Sequence, residues 1–426
     1  MKNRKLIASI PFLAISGAVS LLAQDAPEPK ESLLTQGFNK LEETVPGKFN
    51  INIRLRNEVF DLDTPSGNLP DGSPADRDGT AFRIRYGYTT PNFYGFTAMA
   101  EGETLTSVEG DIQPLDEAGE GTELNQLWIQ YANPDYGKAK VGRQVYNLDD
   151  QRFIGSVGWR MNDQTFDGGT GDFTGIENLS AKAFYFGQQN TVTAEENDID
   201  SFGFNFAYGF PEKATLTAFY YNIEGEDTGN AGSSNQTIGS RVVGGFSVSE
   251  QKFKYAASIA WQEAIDPSPL DYDGFYYAGD LSTNVFGVTL GAGFEILEPG
   301  FRTPYATVHK FNGFADALIP LNGFTDGLED YYIYAGYKIP VGNGIMTKVI
   351  YHWFDPESKS APGQNGGTEI DFVAAYKFAE YFSVVTKFGD YSTDGGVGTG
   401  GVGGNVGGLA GALDKTMFTI EINFIY

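Results

Sequence analysis

The chain of 426 residues has no cysteine, only two histidines, and a shortage of positive charge: 29 Lys and Arg face 55 Asp and Glu, a formal net charge of −26. Each shortage excludes something. Without cysteine there is no disulfide framework, and an exported chain of this length can do without one if a large sheet closes on itself. His309 and His352 are the sole imidazoles, and there is no G-x-S-x-G elbow or paired metal-ligand motif. No catalytic residue, cofactor or metal site is therefore expected, and a barrel hydrolase using Ser and His is kept only as the alternative of another class. The acidic balance argues against nucleic acid as a partner. Long apolar runs are missing too, with one exception. Lys2, Arg4 and Lys5 precede a run from Leu6 to Ala23 that has the plan of a secretory signal, cut after Ser20 or Ala23. Nothing else in the chain is long and apolar enough for a membrane helix.

What is present is aromatic and glycine-rich: 33 Phe, 24 Tyr and 55 Gly, with a mean hydropathy of only −0.27. That profile suits a sheet in which every second side chain faces water. From Lys48 onward the chain alternates with period two. Phe49, Ile51, Ile53 and Leu55 share one phase, and Asn50, Asn52, Arg54 and Arg56 the other. Phe202, Phe204, Phe206, Tyr208 and Phe210 alternate with Gly203, Asn205, Ala207 and Gly209. The last ten residues, 417–426, place Phe418, Ile420, Ile422, Phe424 and Tyr426 on one face and Thr419, Glu421 and Asn423 on the other. This ending resembles the terminal signal strand of bacterial outer-membrane barrels, and the assembly machinery of that membrane is its expected reader.

Short turns are expected near 90–92, 133–135, 173–176, 211–213, 250–251, 282–284, 341–344 and 379–380. Long polar connections are expected near 61–79, 103–122, 145–163, 189–200, 223–236, 264–273, 297–329, 355–367 and 392–415. The two kinds alternate, as periplasmic turns and outer loops do. The count gives an all-β, transmembrane antiparallel β-barrel of about 18 strands. Its organisation reads as a signal peptide at 1–23, a periplasmic lead-in at 24–45 with a turn or two of helix around Leu33, Leu34, Phe38 and Leu41, and a barrel at 46–426. The stretch from Gly395 to Gly411 is low in complexity and reads as a flexible outer loop.

Strand phase also sorts the charges. Inward positions hold Arg54, Arg56, Arg83, Arg85, Lys138, Lys140, Lys182, Arg241, Lys252, Lys254 and Lys348, with Lys338, Lys377 and Lys387. Arg143 and Arg152 are added to the candidate pore lining. Inward acids are fewer: Glu101, Asp280, Glu295, Glu369, Asp371 and Glu421. Glu103, Glu109, Asp111, Asp116, Glu117, Glu120 and Glu123 are assigned to an acidic outer rim, where divalent cations could bridge them to lipopolysaccharide. A basic bore under an acidic rim favours anions. The bland alternative is that Glu101, Glu103 or loop acids neutralise the arginines.

Three stretches carry a family resemblance. The first is Glu123-Leu124-Asn125-Gln126-Leu127-Trp128-Ile129-Gln130-Tyr131 with Val141-Gly142-Arg143-Gln144. The second runs through Leu148-Asp149-Asp150-Gln151-Arg152-Phe153-Ile154-Gly155, Gly158-Trp159-Arg160 and Asn162-Asp163-Gln164-Thr165-Phe166-Asp167. The third joins Leu290-Gly291-Ala292-Gly293-Phe294-Glu295, Thr303-Pro304, His309-Lys310-Phe311-Asn312-Gly313-Phe314-Ala315-Asp316 and Gly327-Leu328-Glu329-Asp330. Together they resemble the outer-membrane alginate-export family. The resemblance implies a monomeric 18-stranded barrel in outer-membrane lipid with an electropositive pore for an acidic polysaccharide. A porin passing anionic solutes, alginate or its oligomers among them, is the expectation, with a general diffusion porin for small nutrients as the alternative. The glycine-rich final loop and the acidic rim depart from the family pattern.

Overall fold

The computed structural model describes residues 33–64, 67, 74–211, 213–226, 231–319, 323–324, 326–358, 366–393 and 413–426. The expected signal segment 1–23 and the Gly395 to Gly411 stretch lie outside them. A helix, α1 (Leu33–Thr44), precedes the first strand. The strands run β1 (Lys48–Leu62), β2 (Arg77–Thr89), β3 (Phe96–Gly110), β4 (Gly121–Asn133), β5 (Gly137–Gln144), β6 (Thr165–Ile176), β7 (Leu179–Asn190), β8 (Glu196–Phe210) and β9 (Ala214–Ile223). The second half continues with β10 (Asn235–Val248), β11 (Gln251–Ala264), β12 (Asp273–Val285), β13 (Val288–Leu297), β14 (Leu328–Ile339), β15 (Ile345–Asp355), β16 (Gly367–Lys377), β17 (Phe382–Ser392) and β18 (Lys415–Ile425). A one-turn helix, α2 (Pro114–Ala118), sits between β3 and β4.

Each strand pairs antiparallel with its neighbours in sequence, and β1 pairs with both β2 and β18, closing an 18-stranded barrel. Closure satisfies the backbone polar groups that hydrocarbon cannot. The seam holds to its last residue, where the Tyr426 N–H donates to the Ile51 carbonyl at 2.9 Å. Alternation decides the faces as expected. Leu127, Ile129, Phe204, Phe206, Ile333 and Ile422 point outward and are exposed in the isolated chain, the lipid-facing band of a membrane barrel. Outward aromatic pairs mark both edges of that band: Phe49–Tyr88, Phe246–Phe253 and Phe382–Phe424 at the short-turn end, and Phe275–Tyr277 and Tyr351–Trp353 at the other.

Several boundaries differ from the sequence reading for local reasons. The turn expected at 282–284 is at Phe286 and Gly287, both with positive φ (51° and 87°), and the Asn284 side chain accepts from the Gly287 N–H at 3.0 Å. That left-handed pair matches the twist of a two-residue hairpin. The turn expected at 173–176 lies at Glu177 and Asn178, beyond a register shift in β6. The connection expected at 103–122 shrinks, because β3 continues to Gly110 and β4 starts at Gly121. The lead-in is a 12-residue helix, longer than the turn or two expected.

Topology can be tested on intact cells, since the native chain offers no thiol. Asp271→Cys, in the exposed connection after β11, should react with a bulky polyethylene-glycol maleimide added outside. Phe286→Cys, at a fully exposed position (100 %) on the opposite end, should react only after the outer membrane is permeabilised. Labelling in the reverse order would invert the barrel.

Candidate functional site

The inward phase is not uniformly wet. Phe184 and Phe186 of β7 and Phe219 and Tyr221 of β9 face inward and are buried, as is Phe166 of β6. What covers them are two segments that fold into the barrel from the end opposite its short turns: residues 145–164, between β5 and β6, and the described residues of 298–327, between β13 and β14. Ile154, Phe301, Tyr305 and Leu318 from these segments form one apolar cluster with the inward aromatics of the wall, including Tyr276, Phe354 and Tyr391. The segments are also joined to each other. Gly155 N–H donates to the Tyr305 carbonyl at 2.8 Å, Thr307 N–H to the Gln151 carbonyl at 3.0 Å, and Val157 N–H to Thr307 Oγ1 at 3.0 Å.

The arginines of β1 and β2 serve this arrangement. Arg54 and Arg83 are directly opposite across the strand pair, and Arg54, Arg56, Arg83 and Arg85 all reach residues 158–163, while Arg77 of β2 instead bonds the Ile112 carbonyl and Glu117. Arg54 donates to the carbonyls of Gly158, Trp159 and Arg160 at 3.1–3.3 Å. Arg83 donates to the Met161 carbonyl at 3.2 Å and to Asn52 Oδ1 at 2.7 Å. Arg56 pairs with Glu421 at 2.9 Å, approaches Asp116 at 3.6 Å and lies over the Trp159 ring at 4.1 Å. Arg85 pairs with Glu103 and, at 2.6 Å, with Asp163. The expected open basic patch is therefore corrected: Arg56 and Arg83 are 1 % and 0 % exposed, and acids compensate the group. Like charges at this spacing are tolerable inside a barrel only with such partners. Glu103 and Asp116 leave the acidic rim for the same reason, since both are buried against these arginines.

Trp159 is held from three sides. His309 stacks on it at 3.9 Å and 3°, and Lys387 Nζ lies 3.6 Å and the Arg56 guanidinium 4.1 Å from its centre. His309 Nδ1 is 2.9 Å from Asp316, which also pairs with Arg160 at 2.9 Å. Burial pushes the His309 imidazole down to about 3, against the pull of Asp316. The ring is thus neutral, donating from Nδ1, and its buried Nε2 has no hydrogen-bond partner among the described residues.

A second network fixes 298–327 to the far wall. Arg152 pairs with Glu295 at 2.6 Å and donates to Asn312 at 3.1 Å, while Tyr276 donates to Glu295 at 2.7 Å. His352 bridges Asp330 at 2.8 Å and Asp371 at 3.5 Å. Asp371 accepts from the Phe314 N–H at 3.1 Å and Glu369 from the Ala315 N–H at 2.6 Å. Gly313 is required here: its φ is +90°, and a Cβ would fall about 2.4 Å from the Glu369 carboxyl carbon.

Beneath these networks a cavity of about 180 Å³ opens, lined by Arg241, Lys310, Lys348, Asp150, Asp280, Tyr332 and Tyr334 among others. Arg241 pairs with Asp150 at 2.7 Å, and Lys348 Nζ lies 4.0 Å from the Tyr334 ring. Lys310 donates to the Asp150 carbonyl at 2.9 Å.

The remaining candidates divide. Lys138, Lys140, Lys182, Lys252 and Lys254 lie on the inward phase toward the short-turn end; Lys138 pairs with Asp172 at 3.3 Å, and Lys140 sits 4.4 Å over Trp128. Arg143 does not line the lumen. It is opposite the outward Leu127 and pairs with Asp167 and Glu196 at 2.8 and 3.1 Å, because the short β5 ends where strict alternation turns it outward. Arg152, 1 % exposed, is a buried clamp instead of a pore residue. Sequence reasoning missed Trp159, Asp316 and Lys310 as parts of the site. A signal was available: Phe184-Tyr185-Phe186 and Phe219-Tyr220-Tyr221 are apolar on both phases, which marks a wall covered on both sides.

Removing one partner of a buried ion pair leaves the other charge uncompensated. Arg56→Ala, which strands Glu421 and Asp116, should cost about 3–5 kcal/mol, read as a lower urea midpoint for the reconstituted barrel; an unchanged midpoint would refute the clamp. His309 adds a pH dependence. The unfolded chain takes a proton there near pH 6.5 and the folded one only near 3, so this stabilisation is full above 6.5 and is lost as pH falls through that window. His309→Gln should flatten that part of the midpoint-versus-pH curve, and an unaltered slope would count against a neutral His309.

Residues 73–278 match the family described as alginate export. The first two resembling blocks fall inside that match and the third lies beyond it. No curated protein matches the chain. Among solved structures, Pseudomonas aeruginosa OpdK, determined with vanillate, is 14 % identical with a TM-score of 0.63, covering 89 % of this chain and 99 % of its own. Acinetobacter baumannii OccAB2 is 12 % identical with a TM-score of 0.66, covering 89 % and 98 %. P. aeruginosa OccK3 (OpdO) is also 12 % identical, with a TM-score of 0.61 and coverage of 91 % and 97 %. At these identities the structures speak for the fold. The chain has the closed 18-stranded β-barrel fold of these outer-membrane proteins, and over residues 73–278 it matches the alginate-export family that its sequence resembles.

Proposed function

We propose that the barrel passes small anionic solutes, organic carboxylates first, through a lumen narrowed by residues 145–164 and 298–327. One observation carries this reading. Lys182, Lys252, Lys254, Lys310 and Lys348 make no ion pair among the described residues, while the arginines nearer the outer end are consumed by internal pairing. Net attraction for anions is therefore concentrated in the half of the bore below the inward segments, where a confined lumen strengthens the field. Tyr332 and Tyr334 beside Lys348 add flat apolar surface to a cation, a combination suited to an aromatic carboxylate. The vanillate in the OpdK structure belongs to that chemical class.

Passage of an acidic polysaccharide is the second reading, favoured by the family match over 73–278. A polymer needs a continuous wide bore, so it requires both inward segments to leave the lumen together. The hydrolase alternative gains nothing from the histidines, since both are committed to buried Asp partners. We further assign the closing strand β18 as the surface read by the barrel-assembly machinery, and the outer acids Glu109, Asp111, Glu120, Glu195 and Asp198 as contacts for cation-bridged lipopolysaccharide.

Selectivity tests the main reading. In a salt gradient across a planar bilayer the wild-type channel should favour chloride over potassium. Changing Lys182, Lys252, Lys254 and Lys348 to Gln should lower that preference roughly twofold or more, and millimolar vanillate should reduce wild-type current more than that of the variant. A cation-selective wild-type pore would overturn the proposal.

A further inference from the structure

The helix α1 does not sit under the bore. Phe38 stacks on Tyr426 with centroids 3.7 Å apart at 19°, and Tyr426 belongs to the outward, lipid-facing phase of β18. Thr35 donates to Glu380 at 3.0 Å, in the turn before β17, and the Tyr426 phenol bonds Glu42. These contacts hang the helix on the outside of the wall, at the short-turn rim. Its remaining faces are sharply divided. Leu34, Leu41 and Val45, spaced by seven and four, form one stripe beside Phe38, and are 49 %, 40 % and 40 % exposed. Gln36, Asn39, Lys40 and Glu43 occupy the opposite side.

Two exposed apolar side chains on the helix, with Val45 just past its end, need a cover. The stripe is continuous, through Phe38 and Tyr426, with the aromatic edge of the lipid-facing band formed by Phe424, Phe382 and Tyr381. A 12-residue helix is too short to cross a bilayer, but it can lie in the interface with its apolar stripe at the acyl boundary and its polar side in water. We propose that α1 is a membrane-interface helix embedded in the periplasmic leaflet of the outer membrane, Leu34, Leu41 and Val45 inserting among phospholipid chains. Lys40 against Glu42 and Glu43 leaves the helix without basic excess, so the attraction is apolar and does not depend on anionic headgroups. Insertion fixes the rim of the seam strand, because the same helix grips Tyr426 and the β16–β17 turn.

The absence of native cysteine makes the test direct. Spin labels at Leu41→Cys, Leu34→Cys and Lys40→Cys, each in the full-length barrel reconstituted into phosphatidylcholine vesicles, report exposure to oxygen, which partitions into lipid, and to a water-soluble nickel chelate. Positions 34 and 41 should favour oxygen over nickel several-fold more than position 40, at low and high salt alike. Equal nickel access at all three positions would place the helix in water and overturn the proposal. Dipolar broadening at 41, lost when labelled protein is diluted with unlabelled, would also overturn it, by showing a second copy on the stripe. All three side chains are exposed, so the variants should fold, and a native heat-modifiable band checks each. Loss of anion selectivity in the same vesicles would bear on the channel reading alone, since none of these positions faces the lumen.

Discussion

An unpaired peptide group in hydrocarbon finds no substitute partner, so a membrane sheet must close, and the whole structure follows from the seam where β1 meets β18. That seam determines more than the wall. The register Arg56↔Glu421 and Arg54↔Asn423 puts the acid of the last strand beside the arginines of the first, and β2 supplies Arg83 and Arg85 from the other flank. The cations gathered by closure then reach inward to the carbonyls of residues 158–161. Sheet closure and lumen filling are one problem solved at one place.

The lumen has two characters along its axis. Toward the outer end it resembles a protein core: apolar side chains from wall and segments interlock, and the buried arginines Arg54, Arg56, Arg83, Arg85, Arg152 and Arg160 are held by carboxylates or carbonyls. Toward the short-turn end the bore is lined by lysines on strands without facing segments. This division reconciles a strongly acidic chain with an anion-attracting interior. The acids lie mainly on the outer connections or inside the clamped network, where they answer arginines and His352.

Much of the architecture was legible in the sequence, because a period of two on a lipid-facing wall leaves little freedom. Strand count, the alternation of short and long connections and the inward phase of Arg54, Lys182, Lys252 and Lys348 follow from alternation and turn spacing. Even β6, diluted by Gly168, Gly169 and Gly171, falls where the spacing puts it. What alternation cannot carry is what lies opposite an inward side chain. Arg56 and Lys254 have the same phase, yet one is sealed against Trp159 and the other faces the bore, and the difference is made by a segment a hundred residues away. Glu103 and Asp116 read as loop acids in the sequence, whereas β3 extends through Glu103 to pair it with Arg85 of β2, and Asp116 folds back onto Arg56 of β1. Arg143 shows the smaller limit: the phase that turns Lys138 and Lys140 inward turns position 143 outward, and its assignment to the pore does not follow that phase.

The tie between the two inward segments has a mechanical consequence. Gly155, Val157, Thr307 and Tyr305 splice them by backbone and side-chain hydrogen bonds, and each segment is bolted to a different arc of wall, 158–161 to the first two strands and 312–315 to β13, β14 and β16. The pair is therefore a brace between two arcs of a hollow cylinder. A brace of this kind resists ovalisation of the barrel under lateral pressure from the bilayer. It also yields as a unit, so any widening of the lumen is a change of the cylinder's shape and not the swing of a single loop.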